Sequence, residues 1–315
     1  MRSRDLGPTE REKRMEITRK RGKLAELKES AIKAFFFSNG ILAVVILAGI
    51  FGLLLYTALP AFRVIRLNEF LGSTHWDPTS PVKAEYGILS MIASTLLVTV
   101  TAMVIAVPVG IGVAAYMSDV AHWRVREIVK PVVEILAGIP SVVVGFLGIV
   151  LFGPLIAKVF HIGNGLNALN GSILLAIMAL PTIISISEDA LAAVPQAYAE
   201  ASLALGASRW QTLVRVKLPA ALSGIIAAVM LGMGRAVGET MTVLMATGNA
   251  RSFPHGLLES VRTMTSNIAI ELGEVPYYTT HYYALFAIGL VLFLMTFAVN
   301  LTADVVLHKY QEHEL

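Results

Sequence analysis

Five stretches of the chain contain no Asp, Glu, Lys or Arg: Ala34 to Phe62, Tyr86 to Ser118, Ile135 to Ala157, Val159 to Ser187 and Val275 to Ala303. Each is longer than the roughly 20 residues a helix needs to cross a bilayer. A sixth, Leu218 to Ala250, is interrupted only by Arg235 and Glu239. A chain that is 56% hydrophobic and 15% charged, with a mean hydropathy of +0.70, is too apolar for an ordinary soluble domain. Membrane barrel strands alternate apolar and polar positions over short segments, whereas these blocks are continuous, so the spans read as helices.

The expected fold is an all-α membrane protein with six transmembrane helices, at about 34–62, 86–118, 131–157, 170–187, 219–248 and 279–303, inside a transmembrane domain over 34–310. A basic segment, 1–33, precedes it, and 188–218 is the longest loop on the inner side. Many of the 13 prolines and 25 glycines fall within or beside the spans, which suits helices broken where they line a cavity. The first apolar block follows more than thirty residues and is longer than a signal-peptide core, so it reads as a retained span. The chain has no cysteine, and its seven histidines show no metal-ligand spacing, so no metal site is expected. No G-x-S-x-G nucleophile turn occurs either.

Orientation follows from the cations, which concentrate on the cytoplasmic side of membrane proteins. With both termini in the cytoplasm, eighteen of the 25 Lys and Arg fall inside and six outside. Arg235 alone belongs to neither side. Eleven of the inner cations lie before Ala34, and the later loops support the assignment only weakly. The segment 1–33 is either an amphipathic helix on the anionic inner leaflet or a solvated tail that fixes topology. On the outer side, "HWDPTSPVKAEYG", with Trp76 and two prolines, reads as an ordered interfacial loop.

The inner loop reads "EDALAAVPQAYAEASLALGASRWQTLVRVKLPAAL". Pro195 can open a helix that Gly206 ends, and Ser208 can cap a second helix running to about Lys217. Glu200-Ala201-Ser202, three residues, Gly206, nine residues, Val216, one residue and Leu218-Pro219 resemble the E-A-A, x3, G, x9, I-x-L-P signature of ABC importer permeases. Ser202 and Val216 depart from it. The resemblance implies the type I permease fold and a cytoplasmic coupling helix that sits on an ATP-binding subunit through Glu200, Ala201 and Gly206. The chain carries no G-x-x-x-x-G-K-[ST] phosphate loop, so it is expected to bind no cofactor and to leave ATP hydrolysis to a partner subunit.

Arg235 and Glu239 sit in "GRAVGETM". An arginine at a helix centre costs roughly 2.5 to 3.5 kcal/mol on insertion scales and needs a reason to be there. On a continuous helix Glu239 lies one turn along the same face and can pair with it. Arg235 then lies about 24 Å from Pro219 along the span, past the midplane, where snorkelling outward is an alternative. As a functional group, arginine offers a planar fork that matches a tetrahedral oxyanion. A neighbouring carboxylate can accept a hydrogen bond from the P–OH of hydrogen phosphate, a donor that sulfate lacks. Ser141, beside the helix-breaking Pro140, leads the hydroxyl candidates, with Thr95, Thr99, Thr182 and Ser185 behind it.

"GRAVGETM" followed by Gly248-Asn249, "GIPSVVVG" in the third span and "WDP…EYG" before the second together resemble the PstC-type permease of the phosphate ABC importer. The likeness covers about Trp76 to Leu307; Ser94 departs from it. It implies a substrate site including Arg235, Glu239, Ser141, Thr240 and Thr95, in a multi-pass protein of the cell inner membrane. It also implies a PstA-type sister permease, two copies of a PstB-type ATP-binding subunit, a PstS-type phosphate-binding protein and no nucleic-acid partner. Another oxyanion, such as sulfate, molybdate or phosphonate, and a non-transporting signalling scaffold are the alternatives.

Overall fold

The computed structural model describes residues 8–311, and the side chains of 28–302 and 305. The chain divides into two units, Met1–Leu54 and Leu55–Leu315. The first is the greater part of helix α1 (Pro8–Ala58). Its apolar section carries exposed Phe35, Phe36, Phe37 and Val44, the composition of a lipid-facing surface. The amphipathic reading of 1–33 depends on side chains 1–27, which lie outside the described residues.

In the second unit, a short α2 (Leu67–Gly72) leads into β1 (Trp76–Asp77) and β2 (Glu85–Tyr86), an antiparallel pair with Trp76 opposite Tyr86. The outer loop is therefore ordered, as its prolines and Trp76 predict. Helices α3 (Leu89–Ala115) and α7 (Ala168–Ala192) form the centre of the bundle. They approach closely enough for the Ser172 hydroxyl to lie 3.2 Å from the Val98 carbonyl. Small residues make that possible: Ala102 and Ala106 of α3 and Ala176 and Ala179 of α7 are buried in one cluster with Ile183. Without a hydrophobic drive between helices in lipid, such close van der Waals packing and shared hydroxyl bonds hold the crossing.

Between these two helices lie α4 (Trp123–Gly138), α5 (Ser141–Leu147) and α6 (Gly153–Phe160), the last two joined by a π-helical turn at 148–152. The third span, expected at 131–157, is thus not one helix: Ile139 and Pro140 are extended and the spanning helix begins at Ser141. Proline's missing N–H and the extended bias of the residue before it place the break there.

Past α7, the chain forms α8 (Gln196–Ala204), α9 (Arg209–Thr212), a π-helical turn at 213–217, α10 (Leu218–Ala220) and α11 (Leu222–Val237). The two parts meeting at Ala221 are bent by 70°. Then come α12 (Met241–Ala246), α13 (Met264–Glu271) and α14 (Thr280–Gln311). Among the described residues five helices are long and apolar enough to cross a membrane, and a sixth if the bent pair counts as one span. The span expected at 219–248 is broken a second time, at Gly238–Thr240 between α11 and α12.

Candidate functional site

That second break changes how the two buried-run charges are held. Arg235 lies in the last turn of α11, where the helix dipole favours a cation. Glu239 lies just ahead of α12, and its Oε1 accepts from the Thr242 amide at 3.2 Å in the manner of a helix cap. The expected i,i+4 pair does not form, because Gly238 ends the helix before Glu239 can come round to the same face. Each charge is compensated by its own helix end, and Arg235 has no ion pair or hydrogen bond among the described residues. Next to it, a Cβ at Gly234 would sit 3.3 Å from Asn300 Oδ1 of α14, while Arg235 itself is exposed.

Ser141 is brought to the same hinge by α12. Thr242 Oγ lies 3.1 Å from the Ser141 carbonyl and 2.9 Å from Met178 Sδ, so it ties α12 to both α5 and α7. Gly145, one turn into α5, faces the α12 backbone so closely that a Cβ would meet Met245 Sδ at 2.9 Å. Thr240 donates locally to the Gly238 carbonyl at 3.3 Å. Glu239 and Thr240 therefore lie in the break itself, four and five residues after Arg235, and the Ser141 backbone meets the first turn of the helix that follows it. Thr242, missed in the sequence, carries the only signal a hydroxyl two residues past Thr240 can give.

Thr95 is placed differently. Its hydroxyl donates to the Met91 carbonyl at 2.8 Å and accepts from the Met264 amide at 3.1 Å. Its one hydrogen is thus engaged within the fold rather than free for an anion. The space it shares with Thr99, Ala236, Val237, Glu239, Thr263 and Thr265 holds no water-sized volume.

At the bundle end opposite α8 and α9, Glu271 gathers four side chains from three other segments. Trp76 Nε1 donates to it at 2.9 Å, Arg251 Nη2 at 3.2 Å and Arg262 Nη1 at 3.1 Å, and His281 Nε2 lies 2.8 Å away. Arg251 also faces Asp77 at 3.6 Å, and Arg262 Nε donates to the Asn249 carbonyl at 2.9 Å. Burial pushes the Glu271 carboxyl up, but the hydrogen bonds from His281 and Trp76 and the nearby charges outweigh it, and its pKa is lowered. A lowered carboxylate adds stability that is complete above its unfolded value, about 4.3, and lost as pH falls through the folded value beneath it. Thermal unfolding should therefore show a midpoint that drops below about pH 4, and Glu271→Gln should lose much of that drop. At neutral pH the same substitution should cost about 3 kcal/mol, since it leaves Arg262 without its counter-charge.

At the other end, α8 and α9 form a helical hairpin whose turn Gly206 makes in a left-handed conformation, φ 85°. Ser208 caps α9 in a reciprocal box with Gln211, and Ser202 Oγ lies 3.0 Å from Thr212 Oγ1 across the hairpin. Ion pairs fasten this end to its neighbours: Lys217 with Asp119, and Arg126 with the buried Glu188 at 2.5 Å. Glu200, Ala201 and Gly206 are all exposed. So are Leu205 at 90% and Trp210 at 68%, large apolar groups that α8 and α9 do not cover themselves. The hairpin is a surface built to be covered.

Residues 106–311 match the protein family described as binding-protein-dependent transport system inner membrane component. A relative in Bacillus subtilis, a probable ABC transporter permease protein, YqgH, is 42% identical over 73% of this chain and 74% of its own length. The phosphate transport system permease protein PstC 1 of Mycobacterium bovis is 35% identical over 84% and 89%. Among solved structures, a bacterial alginate ABC transporter in complex with an alginate-bound periplasmic protein superposes with a TM-score of 0.56 at 16% identity, over 87% of this chain and 94% of that one.

Proposed function

The chain belongs to the family of binding-protein-dependent transport system inner membrane components, and on that premise we propose that it carries inorganic phosphate across the cell inner membrane as the permease subunit of an ATP-driven importer. It is a multi-pass membrane protein with the fold of an ABC importer permease, which works with an ATPase and an external binding protein. The finer assembly is a PstA-type sister permease, two PstB-type ATP-binding subunits and a PstS-type phosphate-binding protein. ATP is bound and hydrolysed by the two PstB-type subunits, and in this reading the present chain binds no cofactor and catalyses no reaction.

One observation carries the choice of substrate. A broken span presents a guanidinium with no counter-charge among the described residues, one turn from a carboxylate held by a helix end. Arg235 supplies the fork for two phosphate oxygens, and Glu239 accepts from the P–OH of hydrogen phosphate. In this reading Thr240, in the break, and Ser141, whose carbonyl accepts from Thr242, supply the remaining hydroxyls of the lining. Exposed Glu200, Ala201 and Gly206 meet the ATPase, whose closure rocks the bundle and opens the site alternately to each side. The site must hold phosphate more tightly in one state than in the other, because only a differential affinity moves the equilibrium.

Reconstitution of the assembled transporter in vesicles tests this reading. Labelled phosphate uptake should depend on ATP and the binding protein and be suppressed by unlabelled phosphate, with sulfate, molybdate and phosphonate ineffective at the same concentration. Uptake of sulfate or molybdate in preference would assign another oxyanion, and an intact complex that moves none of them would leave only the scaffold reading.

A further inference from the structure

Helix α13 joins the two polar clusters described above. Its C-terminal residue is Glu271, held by Trp76, Arg251, Arg262 and His281. Seven residues away, about 10 Å along the axis, its N-terminal end is seated in the bundle. There Met264 is fully buried and donates its amide to Thr95 of α3. Thr265 donates to the Glu239 carbonyl at 2.9 Å. The Thr263 hydroxyl donates to Ser266 Oγ at 2.9 Å and lies 3.0 Å from Thr265 Oγ1, so the three hydroxyls cluster beside the hinge.

Three features set this contact apart from ordinary packing. It grips the backbone at the non-helical Glu239, next to the charges of the candidate site, rather than a regular helix. It closes the gap between α3 and the hinge so fully that no water fits. Its bonds are few and local to one segment, while the other end of that segment is fixed to the outer loops by a buried charge cluster.

We propose that Thr263, Met264 and Thr265 are a latch that seals the Arg235–Glu239 hinge from the outer side, and that α13 transmits movement of the outer loops to that latch. Thr265 and Met264 are positioning residues: they act through Glu239 and Thr95 and do not hold the anion. The proposal rests on the transport reading, since a latch matters only where a site is exposed alternately to two sides. Movement of the Trp76 and Arg251 loops, clasped to Glu271, pulls α13 as a unit and withdraws the Thr265 hydroxyl from Glu239.

The chain's lack of cysteine gives a direct test. In the assembled transporter, Met264→Cys should resist a membrane-impermeant maleimide without nucleotide. It should react at least about tenfold faster with binding protein and a non-hydrolysable ATP analogue present, a change expected for a state favoured by about 1.4 kcal/mol. Protection in both states, or equal reaction in both, overturns the latch. Should that variant fail to assemble, Thr265→Val decides: basal ATP hydrolysis without binding protein should rise about fivefold, the weight of one hydrogen bond in the closed state, and Thr265→Ser should restore the wild-type value. Unchanged basal hydrolysis overturns the proposal. Nucleotide-dependent labelling of Met264→Cys, together with a wild-type complex that takes up no phosphate, would instead sink the substrate reading and keep the latch.

Discussion

Arg235→Ala should reduce phosphate uptake by the assembled transporter at least about a hundredfold while the complex still forms. Two features of the hinge argue for so large an effect. Among the described residues Arg235 has no hydrogen-bond or ion-pair partner, so removing it leaves none of their charges unpaired. The same lack of a partner means that its charge-assisted bonds are kept for the anion, and such bonds are the strongest polar contacts available to phosphate. Arg235→Lys keeps the charge and loses the planar fork, so its uptake should fall between wild type and Arg235→Ala. Normal uptake by Arg235→Ala with the complex intact would return Arg235 to the snorkelling role.

The second large effect is expected at the opposite end of the bundle. Gly206→Asp should abolish co-purification of the ATP-binding subunit, and uptake with it. Gly206 has φ 85°, and a non-glycine residue there costs about 1–2 kcal/mol. A Cβ at Gly206 would meet nothing within 4 Å, so the new side chain clashes with no part of this chain. The damage falls on the turn between α8 and α9 and on the surface around Leu205 and Trp210, into which an acid would be carried. Fold and membrane insertion should survive, as judged by yield and thermal midpoint. Full ATPase binding and uptake in the variant would remove Gly206 from the coupling surface.

How far the sequence reached differs between the two regions. Around Gly206 the hairpin was legible residue by residue, from Pro195 ahead of α8 to the Ser208 cap of α9. Those signals are local: a glycine turn, a capping hydroxyl and a following proline act within a few residues of themselves. At the hinge the sequence identified Arg235, Glu239, Ser141 and Thr240 as a group but mistook their connection. Spacing of four residues implies a shared helical face only while the helix continues, and it stops at Gly238. A mid-helix glycine costs about 1 kcal/mol against alanine, too little to announce a break. Contacts from Thr242 to α5 and from Thr265 to Glu239 hold the broken form.

Thr95 shows the same limit from the other side. A threonine in a span is a fair candidate for a ligand hydroxyl until its two bonds are known, and one of them comes from Met264, 169 residues away. Glu271 gave no signal at all, because Trp76, Arg251, Arg262 and His281 reach it from separate loops.

By itself the sequence determined that this chain spans a membrane as helices, how many apolar segments it has, and where the hairpin of α8 and α9 lies. Hydropathy, capping and turn chemistry are properties of short stretches, so a single chain read in order contains them. Tertiary structure alone decided that Arg235 and Glu239 are held by two helix ends rather than by each other. It alone decided that Thr95 is spent and that α13 closes the hinge. Those outcomes depend on which distant groups meet, and on the low dielectric of the bundle, where an unmet polar group is costly and each carbonyl or hydroxyl is claimed by whatever partner packing brings within reach.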